Sequence, residues 1–237
     1  MSTTATNPPA APVTPPPAAN PRRRKPGRAV VLSNVDWKTY TRLLKALDER
    51  PRLRLTYDRG ELEIMVTSPE HEGDSTFLAQ LIAVLAEAFA LPMKSGGSTT
   101  MRRKSMKKGL EPDKCYWLAN AAKIVGIKRL DLTIHPPPDL AIEVDVTSSS
   151  MNRTRIYAAL RVPEVWRLDG DVLSFHQLSG KKYAEVPTSP TFAGVAPADL
   201  MAFVKQARGS ANELVVVAAF RAWLQARLAP PPAPPAA

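Results

Sequence analysis

A proline triplet leading into an alternating stretch constrains this chain more than any other feature: His135-Pro136-Pro137-Pro138, then Asp139-Leu140-Ala141-Ile142-Glu143-Val144-Asp145-Val146. Consecutive prolines fix the backbone and withhold amide donors, so they end any helix and deliver the next residues in extended form. Alternate residues of a strand point to opposite sides. Leu140, Ile142, Val144 and Val146 therefore make one apolar face, which belongs in a core. Asp139, Ala141, Glu143, Asp145 and Thr147 make the other, expected to lie outside the core, with three carboxylates and no cation. Like charges on neighbouring positions of one face repel. A positive group from elsewhere is expected, and hard divalent cations take carboxylate oxygens.

The remaining prolines mark where the folded part begins and ends. Of 24 prolines, most sit at the two ends of the 237-residue chain. Residues 1–28 are proline, alanine, threonine and asparagine, then Arg22, Arg23, Arg24, Lys25 and Arg28; this composition buries no core and reads as a disordered basic tail. Residues 29–228 are expected to form one domain, and residues 229–237 a second proline-rich tail. No apolar run reaches the roughly 18 residues that span a bilayer, and the start of the chain lacks the pattern of an export signal. The single Cys115 excludes an internal disulfide and suits a reducing compartment. A cytoplasmic protein with no membrane partner is expected. The formal charge of +10 points to a polyanionic partner, nucleic acid before membrane.

Along the folded part, hydrophobic spacing predicts a helix over 34–49 capped by Ser33 or Asn34, and a hairpin of 52–57 and 61–66 turning at Asp58-Arg59-Gly60. A long helix comes next, over 68–90, with Pro69 in its first turn and acids near its positive end. Residues 92–108 read as a small, polar and then basic loop. Strands are expected at 114–118, at the central stretch, at 162–168, 171–178 and 182–186. Further helices are expected at 152–160, capped by Ser148 to Ser150, and at 199–206 and 212–228. This order predicts an α/β fold in which helices flank one mixed central sheet.

The carboxylates can be ranked from strand geometry. Asp139 and Glu143 lie about 13 Å apart along one strand, too far to share an ion. Asp145 is nearer, at about 6.6 Å, but adjacent outward positions diverge unless the strand twists strongly. Asp113, opening its own extended run after Pro112, is the better partner for Glu143 if the two strands pair. Two carboxylates completed by water and a phosphate oxygen make a magnesium or manganese site for phosphodiester hydrolysis. Such chemistry also needs a cation to steady charge developing on phosphorus, and Arg153 can supply it. The basic run of Arg102, Arg103, Lys104, Lys107 and Lys108 suits contact with a phosphate backbone. His135 and His176 lack metal-ligand spacing and read as structural, as does a packed Cys115.

Several motifs carry a family resemblance. Tyr57-Asp58-Arg59-Gly60-Glu61-Leu62-Glu63, Ser68-Pro69 with His71-Glu72, Gly109-Leu110-Glu111-Pro112-Asp113, Pro137-Pro138-Asp139-Leu140 with Glu143, and Tyr157 ahead of Val162-Pro163-Glu164-Val165-Trp166 resemble the Uma-type family, described as bacterial "putative restriction endonucleases", of the PD-(D/E)XK nuclease superfamily. The resemblance spans residues 30–203. It implies a restriction-endonuclease-like core and a magnesium-dependent DNA endonuclease with no small-molecule cofactor. It further implies Asp113 and Glu143 as the metal ligands, His71 and Glu72 as a pair reaching the site from the long helix, and a homodimer that cuts two strands. One position departs from the pattern. Asp145 stands where the motif lysine belongs, and Arg153 takes the place of a lysine four residues before Tyr157; Lys104 and Lys114 are alternative cations. Arginine binds phosphate but is a poor base, so the competing expectation is a catalytically impaired nucleic-acid-binding module that keeps the nuclease fold.

Overall fold

The computed structural model describes residues 29–47, 50, 52–144 and 151–229. The first half of the chain contributes strands β1 (Ala29–Leu32), β2 (Leu53–Asp58), β3 (Glu61–Val66), β4 (Lys94–Gly97), β5 (Met101–Arg103), β6 (Lys108–Leu110) and β7 (Lys114–Trp117). The second half contributes β8 (Leu140–Val144), β9 (Glu164–Asp169), β10 (Val172–Ser179) and β11 (Lys182–Val186). The helices are α1 (Trp37–Ala46), α2 (Pro69–Ala88), α3 (Arg153–Leu160), α4 (Pro197–Gly209) and α5 (Glu213–Leu228).

Six strands form the expected mixed sheet, in the order β11-β10-β9-β8-β7-β4. Here β8 pairs parallel with β9 and antiparallel with β7. The remaining five form a second, antiparallel sheet, ordered β1-β3-β2-β6-β5, where the sequence predicted only one sheet. The residues read as a polar and basic loop supply β4, β5 and the first residue of β6. β5 and β6 are three residues each and β4 is Lys-Ser-Gly-Gly, too short and too poor in apolar residues to show a period of two.

The central strand lies inside the molecule on both faces: all five residues of β8 are buried. Leu140, Ile142 and Val144 join the main core with Phe77, Leu81 and Leu85 of α2, Trp166 of β9, and Val204 and Phe220 from α4 and α5. Ala141 belongs to a separate cluster with Ile156, Tyr157 and Leu160 of α3 and with Met101 and Leu110 of the second sheet. The alternation was therefore legible, but the carboxylate face is not outward. It faces α3 and the second sheet.

Helix ends depend on side-chain capping. Ser68 accepts from the His71 amide at 3.2 Å, with Pro69 at the first helical position of α2. The cap of α1 is Asp36, which accepts from the Thr39 amide at 2.6 Å, rather than Ser33 or Asn34; Asn34 sits at φ 59°, outside the extended range of a cap. The cap of α3 is Asn152, bonded to the Arg155 amide at 3.0 Å, whereas Ser148 to Ser150 lie outside the described residues. At the β2–β3 turn, Arg59 and Gly60 both take positive φ, 50° and 106°, as a tight hairpin matched to strand twist requires.

Candidate active site

Three separate elements bring Asp113, Glu143 and Arg153 together. Asp113 immediately precedes β7, and its amide donates to the Ile142 carbonyl at 3.2 Å. Its Oδ2 accepts from the Val144 amide at 2.7 Å, so the carboxylate is clasped against β8 on either side of Glu143. Glu143 shares the Ala141 side of that strand, where the first turn of α3 lies over it. Arg153 Nε donates to Glu143 Oε2 at 3.0 Å and its Nη2 to Oε1 at 2.6 Å, a two-pronged ion pair. The same guanidinium donates to the Glu111 carbonyl at 2.7 Å and to the Thr56 hydroxyl. One helical turn later, the Tyr157 hydroxyl donates to Glu143 Oε1.

A second group of charges meets Asp113 from the other side. His71, from the first turn of α2, places Nε2 at 3.1 Å from Asp113 Oδ2. Arg54 of β2 places Nε at 3.6 Å from Asp113 Oδ1 and Nη2 at 3.1 Å from Glu72 Oε1. The cluster is closed to solvent: Asp113 is 1% exposed, Glu143, Arg153 and Arg54 are 4%, and His71 is 5%.

Burial sets the electrostatics. Loss of water raises the Glu143 pKa; Arg153 opposes that rise, while the Asp113 charge adds to it. Burial lowers the Arg153 pKa, but the carboxylate of Glu143 more than offsets this and holds the guanidinium above its ordinary value. Burial would also lower His71, yet Asp113, with Glu72 and Glu143 behind it, outweighs the loss and keeps the imidazole above 6.5. Tyr157 is pushed well up by burial and by the neighbouring Glu143, so it stays a hydrogen-bond donor.

The other sequence candidates fall elsewhere. Asp139 is a bracket for the chain: its oxygens accept from the amides of Leu118 and Asn120 at 2.7 and 3.0 Å and from the Asn120 side chain at 2.6 Å. Asp145 lies outside the described residues. Lys108 is buried and pairs with Asp58 at 2.5 Å, Lys107 is exposed at a left-handed turn, and Arg102, Arg103 and Lys104 line a broad cleft. Cys115 is fully buried and its thiol is pushed up to about 12 by desolvation, as a packed residue would be. His135 Nδ1 accepts from the Asp131 amide at 3.0 Å, and His176 pairs with Ser174, both local contacts.

The model of the Uma2 family, described as "Putative restriction endonuclease", matches residues 37–204. The chain belongs to the Uma2 family. No match was found among curated proteins. Among solved structures, a nuclease from Anabaena variabilis, titled as putative and as belonging to DUF820, aligns at 14% identity with a TM-score of 0.45, covering 63% of this chain and 90% of that one.

In this Uma2 chain, the fit of a metal ion can be judged from the oxygens left open. Among the described residues no group of three or more His, Cys, Asp or Glu side chains is disposed to hold a metal. Magnesium does not need one, because it keeps several waters and binds through one or two carboxylates. Asp113 Oδ1 is buried and accepts no hydrogen bond. Glu143 Oε1 is filled by Arg153 and Tyr157, whereas Oε2 accepts from Arg153 Nε alone. Two carboxylates are the donor type a hard cation takes, and an ion here would share Asp113 Oδ1 with Arg54 and Glu143 Oε2 with Arg153.

Arg54 and Thr56 escaped the sequence reading. In β2 they alternate with Leu53, Leu55 and Tyr57, which pack with α1, and so they stand on the opposite, polar face of the strand. The signal available was a hairpin whose polar face carries an arginine. Only the packing of one sheet against the other reveals that this face is buried.

Proposed function

We propose that the protein hydrolyses phosphodiester bonds of DNA, with Asp113 and Glu143 holding magnesium or manganese. The observation that carries this reading is the convergence of Asp113, Glu143 and Arg153 in one buried cluster, built from three elements, in a chain of the Uma2 family. When bound, the metal supplies Lewis-acid polarisation of a phosphoryl oxygen and a more acidic water. The remaining work falls to side chains. Arg153 is permanently charged and supplies a fixed cation against the charge that develops on phosphorus, but it does not accept a proton. Tyr157 is a positioning residue that fixes the Glu143 carboxylate by its hydroxyl. His71 is a positioning residue: its Nε2 lies 3.1 Å from Asp113 Oδ2, and that carboxylate shifts the imidazole pKa upward against the effect of burial. A homodimer, each copy cutting one strand, belongs to the same reading.

The test is incubation of the protein with plasmid and linear duplex DNA in magnesium or manganese. Cleavage by the wild type, lost in Glu143→Ala, is the expected result; no cleavage by either protein would overturn the reading.

One observation favours a second reading, a nucleic-acid-binding module without catalysis: Arg153 engages both oxygens of Glu143 and so competes with a metal for them. Calorimetric titration with manganese separates the two. A divalent site that disappears in Asp113→Ala supports the enzyme, and the absence of any such site in the wild type supports the module.

A further inference from the structure

A broad basic cleft, with a volume of about 1230 Å³, lies on the α1 side of β5. Its walls come from three parts of the chain: α1, the stretch around β5, and the loop at 128–135. Together they present Lys45, Arg102, Arg103, Lys104, Lys128 and Arg129, against one carboxylate, Asp131. That carboxylate is already occupied by the Thr133 amide and hydroxyl at 2.9 and 2.7 Å. Arg103 braces the cleft, its Nη2 donating to the Leu132 carbonyl at 2.5 Å, so the basic walls are fixed relative to each other. Lys45, Lys104, Lys128 and Arg129 are exposed.

The cleft is linked to the acid cluster through two residues, Thr100 and Glu111. Thr100 lines the cleft and donates to Glu111 Oε1 at 2.8 Å, and the Glu111 carbonyl in turn accepts from Arg153. Two hydrogen bonds therefore join the basic wall at Thr100 to Arg153 of the acid cluster.

The chemistry of the walls selects among polyanions. Binding of single strands relies on exposed aromatic faces for base stacking. The one aromatic ring of the cleft besides His135 is Trp37, and it is engaged edge-on with Tyr40 and Tyr57 at 5.2 and 5.6 Å between centroids. Six cations thus outnumber two half-buried rings, Trp37 and His135, in the cleft, a pattern weighted toward the phosphate backbones of a duplex rather than base stacking. We infer that this cleft is the duplex-binding surface of the protein, engaging the phosphate backbone through Lys45, Arg102, Lys104, Lys128 and Arg129. Lys45, Lys128 and Arg129 are thus substrate-binding residues far in sequence from the basic run. The inference rests on the nuclease reading only for the use made of the bound duplex.

The test measures binding without cleavage. Fluorescence anisotropy in EDTA monitors a labelled duplex and the matching single strand across a salt series, using the full-length wild type, Lys128→Gln/Arg129→Gln, and Lys181→Gln/Lys182→Gln. The last pair makes the same charge change at the exposed β10–β11 turn, and the basic N-terminal residues are common to all three proteins. The wild type is expected to prefer the duplex. The cleft variant is expected to lower the slope of log affinity against log salt by about two, the value for two lost phosphate contacts, and the turn variant to leave it unchanged. Equal slopes in the wild type and the cleft variant, an equal reduction in both variants, or preference for the single strand would overturn the inference. Because no metal is present, failure of the cleavage assay leaves this result standing, and the converse also holds.

Discussion

Glu143 and Arg153 each offset the cost of burying the other's charge. A buried pair broken on one side leaves an uncompensated charge and costs about 3–5 kcal/mol, whereas replacing both partners with apolar residues costs far less. Arg153→Met is therefore expected to lower unfolding free energy by about 3–5 kcal/mol, and Glu143→Met/Arg153→Met to recover much of that loss, as measured by urea denaturation. Arg153→Lys keeps a charge but gives up the fork that meets both oxygens, and is expected to bind manganese more tightly than the wild type by calorimetry. The Asp58–Lys108 pair gives a pH signature. Burial raises Asp58, but Lys108 and then Arg59 more than compensate, so its folded pKa lies below 3.8. The stabilisation it provides is present above 3.8 and lost as pH falls through the lower folded value. The stability gap between the wild type and Asp58→Asn, roughly 1 kcal/mol for a partly exposed pair, is expected to be full at about pH 6 and to close toward about pH 2.

At the scale of elements, β6 shows how closely the second sheet meets α1. A Cβ placed on Gly109 would overlap the Tyr40 hydroxyl and come within 3.0 Å of its Cζ, and Tyr40 cannot yield because its ring stacks on Tyr57 at 4.6 Å. Gly109→Ala is expected to destabilise by about 1–3 kcal/mol through overpacking, seen as a lower thermal midpoint with an unchanged helical signal at room temperature. Elements with strong periodicity were legible in the sequence. The hairpin, α2, β10 and α5 stand within a few residues of their expected ranges because each has either alternating apolar residues or a capped apolar stripe. β1, β4, β5 and β6 were not legible. They are three or four residues long, and their pairing is set by partners elsewhere in the sequence, as Met101 opposite Leu110 illustrates.

At the scale of the molecule, the acid site lies where two sheets meet, and that explains what sequence reading could and could not find. Asp113 and Glu143 were legible because each stands at a fixed place beside or within a strand whose extended character is plain. Arg153 was legible from its distance to Tyr157. The burial of all three was not, since it comes from the second sheet, whose Thr56 and the nearby Glu111 backbone close over Arg153. Arg54 stayed hidden for the same reason. No described helix is long and apolar enough to cross a membrane, and the apolar stripe of α5 is used internally: Val216, Phe220 and Leu224 are buried in the main core. The most direct measurement of the central claim is single-turnover cleavage of a labelled duplex in manganese by the wild type, Asp113→Asn and Glu143→Gln, at protein concentrations that anisotropy shows to saturate the DNA. The account predicts cleavage by the wild type and a loss of roughly a hundredfold or more in each variant with binding retained; equal rates in all three proteins would contradict it.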